Sequence, residues 1–75
     1  MFEKFIEENV ERNIKHFEFL EVLYSRYLTY CKANKIKPIG RNAFTYQFTK
    51  QRIGAFHTSK GKSARWGVKL LPCKY

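Results

Sequence analysis

The side-chain types that catalyse reactions or bind metal ions are scattered in this sequence. The cysteines Cys31 and Cys73 and the histidines His16 and His57 are isolated, and their spacing matches neither a metal site nor a disulfide framework. A metal-dependent nuclease or polymerase needs clustered carboxylates, whereas we expect the acidic residues here on the outer faces of the first two helices. The sequence therefore predicts a chain that is not an enzyme and that takes no metal, cofactor or small-molecule ligand.

One short segment is similar to part of a nucleotide-binding motif. Gly61-Lys62-Ser63 matches the end of a P-loop, but that motif also needs a glycine at position 56, which is Phe56. The segment also lies in a predicted hairpin rather than between a strand and a helix. We therefore do not assign a nucleotide site to it.

Basic residues are the side chains whose number and position indicate a ligand. The chain has 15 Lys and Arg against 6 Asp and Glu, which gives a net charge of +9. All of the acids lie within the first 21 residues, whereas residues 22–75 contain twelve bases and no acid. This segregation predicts a basic face on the folded chain and favours a polyanionic partner.

The length and composition predict one small globular domain, which we place at residues 1–75. The chain is 44% hydrophobic, which is enough for a core. It has no apolar run of about 18 residues and no signal-peptide pattern, and its two cysteines suit a reducing environment. We expect a soluble intracellular protein of the cytoplasm that does not associate with a membrane.

Apolar residues recur at helical spacing in three places. The first helix is predicted at about 2–11 and the second at about 17–34, with Asn34 as a left-handed stop before Pro38. Residues 14–17 form either a connector or a short edge strand. We expect Tyr30 to lie off the apolar stripe of the second helix. That stripe consists of Leu20, Leu23, Tyr24, Tyr27, Leu28 and Cys31.

The third helix is predicted at about 40–53, between Gly40 as the N-cap and Gly54 as the closing glycine. Phe44 and Phe48 share its apolar face, and its opposite face is polar and free of acids. A hairpin follows, with strands at about 55–58 and 65–70. In the second strand, Trp66, Val68 and Leu70 are expected to point inward, with Trp66 between the sheet and the helices, while Arg65 and Lys69 point outward.

The order of these elements predicts a mainly α fold with a small β-hairpin, the winged helix-turn-helix. In this architecture the last helix enters the major groove of DNA and the hairpin, or wing, contacts a neighbouring groove or the backbone. The candidate contacts on the third helix are Arg41, Asn42, Thr45, Tyr46, Thr49 and Lys50. Those on the wing are Lys60, Lys62, Ser63 and Arg65, and those in the turn between the second and third helices are Lys35 and Lys37.

Both sets of candidates have an alternative interpretation. The polar face of the third helix is also compatible with an ordinary solvated surface, and lysines on the hairpin also protect exposed strand edges. A merely solvated surface normally mixes charges of both signs. The lack of acids after residue 21 therefore favours contact with DNA.

Residues 23–34 (LYSRYLTYCKAN) resemble the "LY-x-x-Y-x-x-W/Y-C-x-x-N" helix of the C-terminal DNA-binding domain of poxvirus-type and satellite-phage or plasmid primase–helicases. The similarity continues through residues 38–44 (PIGRNAF) and the closing strand 65–70 (RWGVKL), and covers residues 14–71. Gly40 replaces the usual serine cap, and Phe48 stands where leucine is usual. The resemblance implies a module attached to a hexameric helicase, sometimes with a primase, that starts replication of mobile elements.

The sequence thus predicts a non-enzymatic domain that binds double-stranded DNA. The resemblance adds helicase or primase domains of the same parent chain as partners. One alternative is a stand-alone phage-type transcriptional regulator or excisionase with the same fold. Another is a protein-interaction module whose acidic first helix docks a replication partner. The DNA-binding hypothesis requires basic side chains from two separate elements to converge on one surface.

Overall fold

The computed structural model describes residues 2–75, which form three helices and one three-stranded antiparallel sheet. The strand order in the sheet is β1-β3-β2. Within residues 2–75 no helix combines the length and apolar character needed to cross a membrane. The elements are α1 Phe2–Asn9, β1 Val10–Phe19, α2 Leu20–Ala33, α3 Arg41–Lys50, β2 Ala55–Ser59 and β3 Lys62–Leu70.

This order of elements and strands is consistent with a winged-helix-like arrangement. The sheet is larger than the predicted hairpin, because β1 adds a third strand beside β3. The long piece between the first two helices is thus an edge strand, the second of the two possibilities for residues 14–17. It covers ten residues, so α1 ends at Asn9 rather than at 11 and α2 begins at Leu20 rather than at 17.

The core between the helices and the sheet is built mainly from aromatic rings. Phe5, Phe44 and Phe48 are fully buried, and they pack with Val10 and Val68 of the sheet. The ring centroids of Tyr27 and Phe44 are 4.9 Å apart, and those of Phe44 and Phe48 are 5.1 Å apart. The predicted apolar faces of α2 and α3 therefore meet each other and the sheet.

Two residues of α2 differ from the prediction. Leu28 is 40% exposed although it was placed in the apolar stripe, and Tyr30 is only 3% exposed although it was placed outside it. Tyr30 is covered by Phe5 of α1, at a ring distance of 5.4 Å, and by Tyr75 near the C-terminus, at 5.9 Å. The buried side of α2 is rotated toward the contacts that α1 and the C-terminal segment provide.

The strand β3 does not alternate as the sequence predicts. Gly67 has a φ of 88°, and the pairing of β1 with β3 changes register there, from Arg12↔Val68 to Phe17↔Trp66. An irregularity of this kind shifts the side on which the following residues point. Arg65 and Val68 are consequently both buried, and Trp66 is 42% exposed, so the predicted orientations of Arg65 and Trp66 are wrong.

The turns that join the elements use left-handed backbone. Lys60 and Gly61 have φ of 52° and 76° between the paired residues Ser59 and Lys62, which is the geometry of a two-residue hairpin turn. After α2, the left-handed residue is Lys35 with a φ of 55°, whereas Asn34 has a φ of −104°. The predicted stop at Asn34 is therefore displaced by one residue.

The ends of α3 also differ from the predicted 40–53. Gly40 is the N-cap, as predicted, but the helix ends at Lys50. Arg52 and Gly54, with φ of 56° and 68°, then turn the chain into β2.

Candidate nucleic-acid interface

The start of α3 is held in place by two tyrosines of α2. The hydroxyl of Tyr24 donates a hydrogen bond of 2.9 Å to the carbonyl oxygen of Ile39. The hydroxyl oxygen of Tyr27 accepts one of 3.3 Å from the backbone N–H of the same residue. Ile39 immediately precedes the N-cap Gly40, so these bonds fix where α3 begins relative to α2.

The polar face of α3 lies on the surface, as predicted. Tyr46 is 61% exposed, and Thr45 is half-buried with its hydroxyl donating a bond of 3.0 Å to the carbonyl oxygen of Arg41. The buried Phe44 and Phe48 anchor the opposite face. The exposed members of the predicted set are Arg41, Asn42, Tyr46, Thr49 and Lys50.

A groove of about 480 Å³ separates the first turn of α3 from the β2–β3 hairpin. The N-terminal end of α2 closes its third side. Five of the predicted contact residues line this groove, although they come from two elements about 20 residues apart in sequence. The lining residues, hereafter the groove residues, are Leu20, Glu21, Arg41, Asn42, Thr45, Phe56, Lys62 and Ser63.

Arg65 does not belong to this surface. It is 3% exposed, and its Nε donates a hydrogen bond of 2.9 Å to the carbonyl oxygen of Ile53. Burial lowers the pKa of its guanidinium. Since its donors face backbone carbonyls inside the protein, the prediction that Arg65 points outward to contact phosphate is wrong.

The other predicted basic contacts are exposed but lie outside the groove. Lys60 occupies the tip of the hairpin turn, next to the groove residue Lys62. Lys35 and Lys37 lie in the segment between α2 and α3, where Lys37 borders a separate cavity of about 240 Å³. Lys50 lies at the last residue of α3, at the far end from Arg41.

The acidic residues lie only partly where the sequence placed them. Glu11 and Glu18 are in β1 rather than on a helix. The carboxylate of Glu18 accepts a hydrogen bond of 2.9 Å from the backbone N–H of Leu70 and lies 3.3 Å from Nε2 of His16. Among residues 2–75, no group of His, Cys, Asp and Glu is arranged to hold a metal ion.

Sequence reasoning missed Glu21 as part of the candidate interface. Its Oε1 lies 3.6 Å from Nζ of Lys62, and it is the acid among the groove residues. Its place in the first turn of α2 brings it to the groove, since Leu20 and Glu21 of that turn line the groove together with α3 and the hairpin. In the sequence, Glu21 belongs to the acidic first part of the chain, but the fold places it beside basic residues of the second part.

A second feature missing from the sequence analysis is an aromatic cluster on the face of the sheet that points away from the helices. The rings of Phe17 and Trp66 are stacked at 5.9 Å with an angle of 10°, and His57 lies 5.3 Å from Trp66. Phe19 lies 5.5 Å from Phe17. The strand register places these four residues, hereafter the outer aromatic cluster, around the buried Ala64.

Comparison with protein-family models, with curated proteins and with solved structures gives no match to this chain. The features that bear on function are therefore the geometry of the groove and the distribution of charge.

Proposed function

We propose that this chain is a winged helix-turn-helix domain that binds double-stranded DNA and performs no catalysis itself. In this proposal α3 enters the major groove and the β2–β3 hairpin lies against the phosphate backbone. The observation that supports it best is the groove, where Arg41 and Asn42 of α3 lie beside Lys62 and Ser63 of the hairpin.

The side chains of α3 suit contact with base edges. A guanidinium binds guanine O6 and N7 or a phosphate, and an asparagine amide pairs with adenine N6 and N7. Arg41 and Asn42 are both exposed in the first turn of α3, the part of a recognition helix that reaches bases. Tyr46 extends the same face one turn further along the helix.

The hairpin suits contact with phosphates. Lys60 and Lys62 flank Gly61 at the tip, and small side chains follow at Ser63 and Ala64. A backbone of this kind approaches phosphate closely, and such contacts position a protein on DNA without reading sequence. We assign Lys60 and Lys62 to this role and leave Arg65 out of it.

The resemblance to the C-terminal domains of primase–helicases suggests the biological setting. We propose that the domain grips or recognises a replication origin for a helicase or primase–helicase of a phage, plasmid or other mobile element. A stand-alone regulator or excisionase would use the same surface, and an ATPase domain encoded in the same reading frame would favour the helicase.

A second candidate function is a protein-interaction module. The outer aromatic cluster supports it, because Trp66 is 42% exposed and lies on the face of the sheet opposite to the helices. This candidate predicts no measurable affinity for duplex DNA at ~50 mM salt, a condition that strengthens phosphate contacts.

Titration of duplex DNA by mobility shift or fluorescence anisotropy tests the proposal. Arg41→Ala with Tyr46→Ala should weaken binding to a duplex selected from a random pool, and Lys60→Ala with Lys62→Ala should mainly reduce the salt dependence. Lys4→Ala with Lys69→Ala removes the same two charges as the hairpin variant, outside the groove, and serves as its control. Equal affinities for all three double variants would overturn the assigned surface.

A further inference from the structure

The groove contains an acidic side chain where the proposed DNA-binding surface needs positive charge. Glu21 lies in the first turn of α2, and its Oε1 is 3.6 Å from Nζ of Lys62 on the hairpin. The two side chains are 56% and 62% exposed. An ion pair this exposed is too weak to hold the hairpin in place, but breaking it is enough to change a binding affinity several-fold.

A phosphate bound at Lys62 would compete with this carboxylate. It would have to replace Glu21 as the partner of the ammonium group, and the displaced carboxylate would remain within the Debye length of about 10 Å at 0.1 M salt. Both effects oppose DNA binding at the point where the hairpin would meet the phosphate backbone of the DNA.

We propose that Glu21 is an autoinhibitory residue of the DNA-binding surface, which holds Lys62 in the free protein and lowers the affinity for every duplex. This inference rests on the proposed function, because it assigns a DNA phosphate as the competitor of Glu21. Arg41 and Asn42 provide the base contacts, so the effect of Glu21 is independent of sequence.

The salt dependence of binding gives this role a signature. When Lys62 neutralises a phosphate, a counterion leaves the DNA. When Glu21 loses Lys62 in the same step, the carboxylate attracts a cation, which offsets that release. Removing the carboxylate should therefore make binding more sensitive to salt, by up to about 0.9 in the slope of log K against log [salt].

The test compares Glu21→Gln with Glu7→Gln in the full 75-residue chain. Both changes raise the net charge by one, but Glu7 is an exposed residue of α1 outside the groove. We expect Glu21→Gln to bind a random-sequence duplex and a selected duplex about fivefold more tightly than Glu7→Gln at low salt. That factor corresponds to one unit charge about 4 Å away in water. In a Lys62→Ala background the advantage should fall by at least half.

Three results would overturn the inference. The first is equal affinities for Glu21→Gln and Glu7→Gln. The second is a loss of affinity in Glu21→Gln that is confined to the selected duplex, because that would make Glu21 a base contact. The third is a gain in affinity from Glu21→Gln that is undiminished in the Lys62→Ala background. The proposed function fails separately, if the wild-type chain binds no duplex at low salt, and the inference then fails with it. Thermal unfolding of each variant confirms that the proteins compared are folded.

Discussion

The Nε–H of Arg65 donates a hydrogen bond of 2.9 Å to the carbonyl oxygen of Ile53. This bond attaches the central strand β3 to the segment that leaves α3. The guanidinium carbon also lies 5.9 Å from the ring centroid of Phe48. A basic residue of the hairpin thus fixes the position of the hairpin relative to α3, while the neighbouring residues at the tip remain on the surface.

Arg65→Ala should therefore reduce stability. The buried carbonyl of Ile53 would lose its charged donor, and an unsatisfied buried acceptor costs about 1–3 kcal/mol. We expect a loss of about 2 kcal/mol in the free energy of unfolding, measured with urea. Lys62→Ala, an exposed change on the same strand, should stay within about 0.5 kcal/mol. A stable Arg65→Ala protein that has lost duplex affinity would contradict this assignment.

The sequence predicts the helices and the surface of α3 well, because a helical face depends on residues three and four apart. Phe44 and Phe48 are both fully buried, and Asn42 and Tyr46 are exposed. The hairpin turn is only partly local: Gly61 accepts the positive φ that the turn needs, but β3 begins at Lys62 rather than at the predicted residue 65.

The ten-residue length of β1 and the orientation of Trp66 depend on pairing between distant residues, and the sequence predicts neither. Val10 pairs with Leu70 across sixty residues, and Phe17 pairs with Trp66 only after the change of register at Gly67. A glycine inside a strand pattern is a signal for such an irregularity. When the pairing of β3 with β1 is not known, regular alternation assigns both Arg65 and Trp66 to the wrong face of the sheet.

Gly54→Ala should destabilise the junction between α3 and the hairpin. Gly54 has a φ of 68°, and an added Cβ would lie 2.5 Å from the carbonyl oxygen of Trp66. The backbone strain alone costs about 1–2 kcal/mol, and the close contact forces β2 and β3 to shift. We expect the midpoint of urea unfolding to fall more than in Gly61→Ala.

Gly61 is the matched control for that variant, because its φ is 76° and its Cβ would meet no atom within 4 Å. The difference between the two variants measures the effect of the close contacts around Gly54, which involve Trp66, Val68 and Arg65. Equal losses of stability in the two variants would mean that β3 shifts to accommodate the added Cβ at no cost in free energy.

Trp66 should report an exposed site by fluorescence. It is the single tryptophan of the chain and is 42% exposed, so acrylamide should quench its emission in the folded protein. The strand register places Trp66 on one face of the sheet and the groove residues Phe56 and Ser63 on the other face. Saturating duplex DNA should therefore leave the quenching unchanged. If acrylamide fails to quench the emission of the free protein, Trp66 occupies the buried position expected from strand alternation. If DNA reduces the quenching, the DNA lies on the outer aromatic cluster.

Alkaline pH should unfold the domain through its buried tyrosines. Burial raises the pKa of Tyr30 above its ordinary value of 10.0, with Glu8, Tyr75 and Cys31 adding to the effect. Burial likewise raises the pKa of Tyr27. Below pH 10 both phenols are protonated in the folded and unfolded states. As the pH rises above 10, the unfolded state loses protons first, so stability falls through the folded-state pKa.

Tyr30→Phe should make this decline shallower in urea unfolding measured across that range, whereas Tyr46→Phe, on the exposed face of α3, should leave it unchanged. An identical decline in wild type and Tyr30→Phe would show that the Tyr30 phenol does not control the alkaline limit.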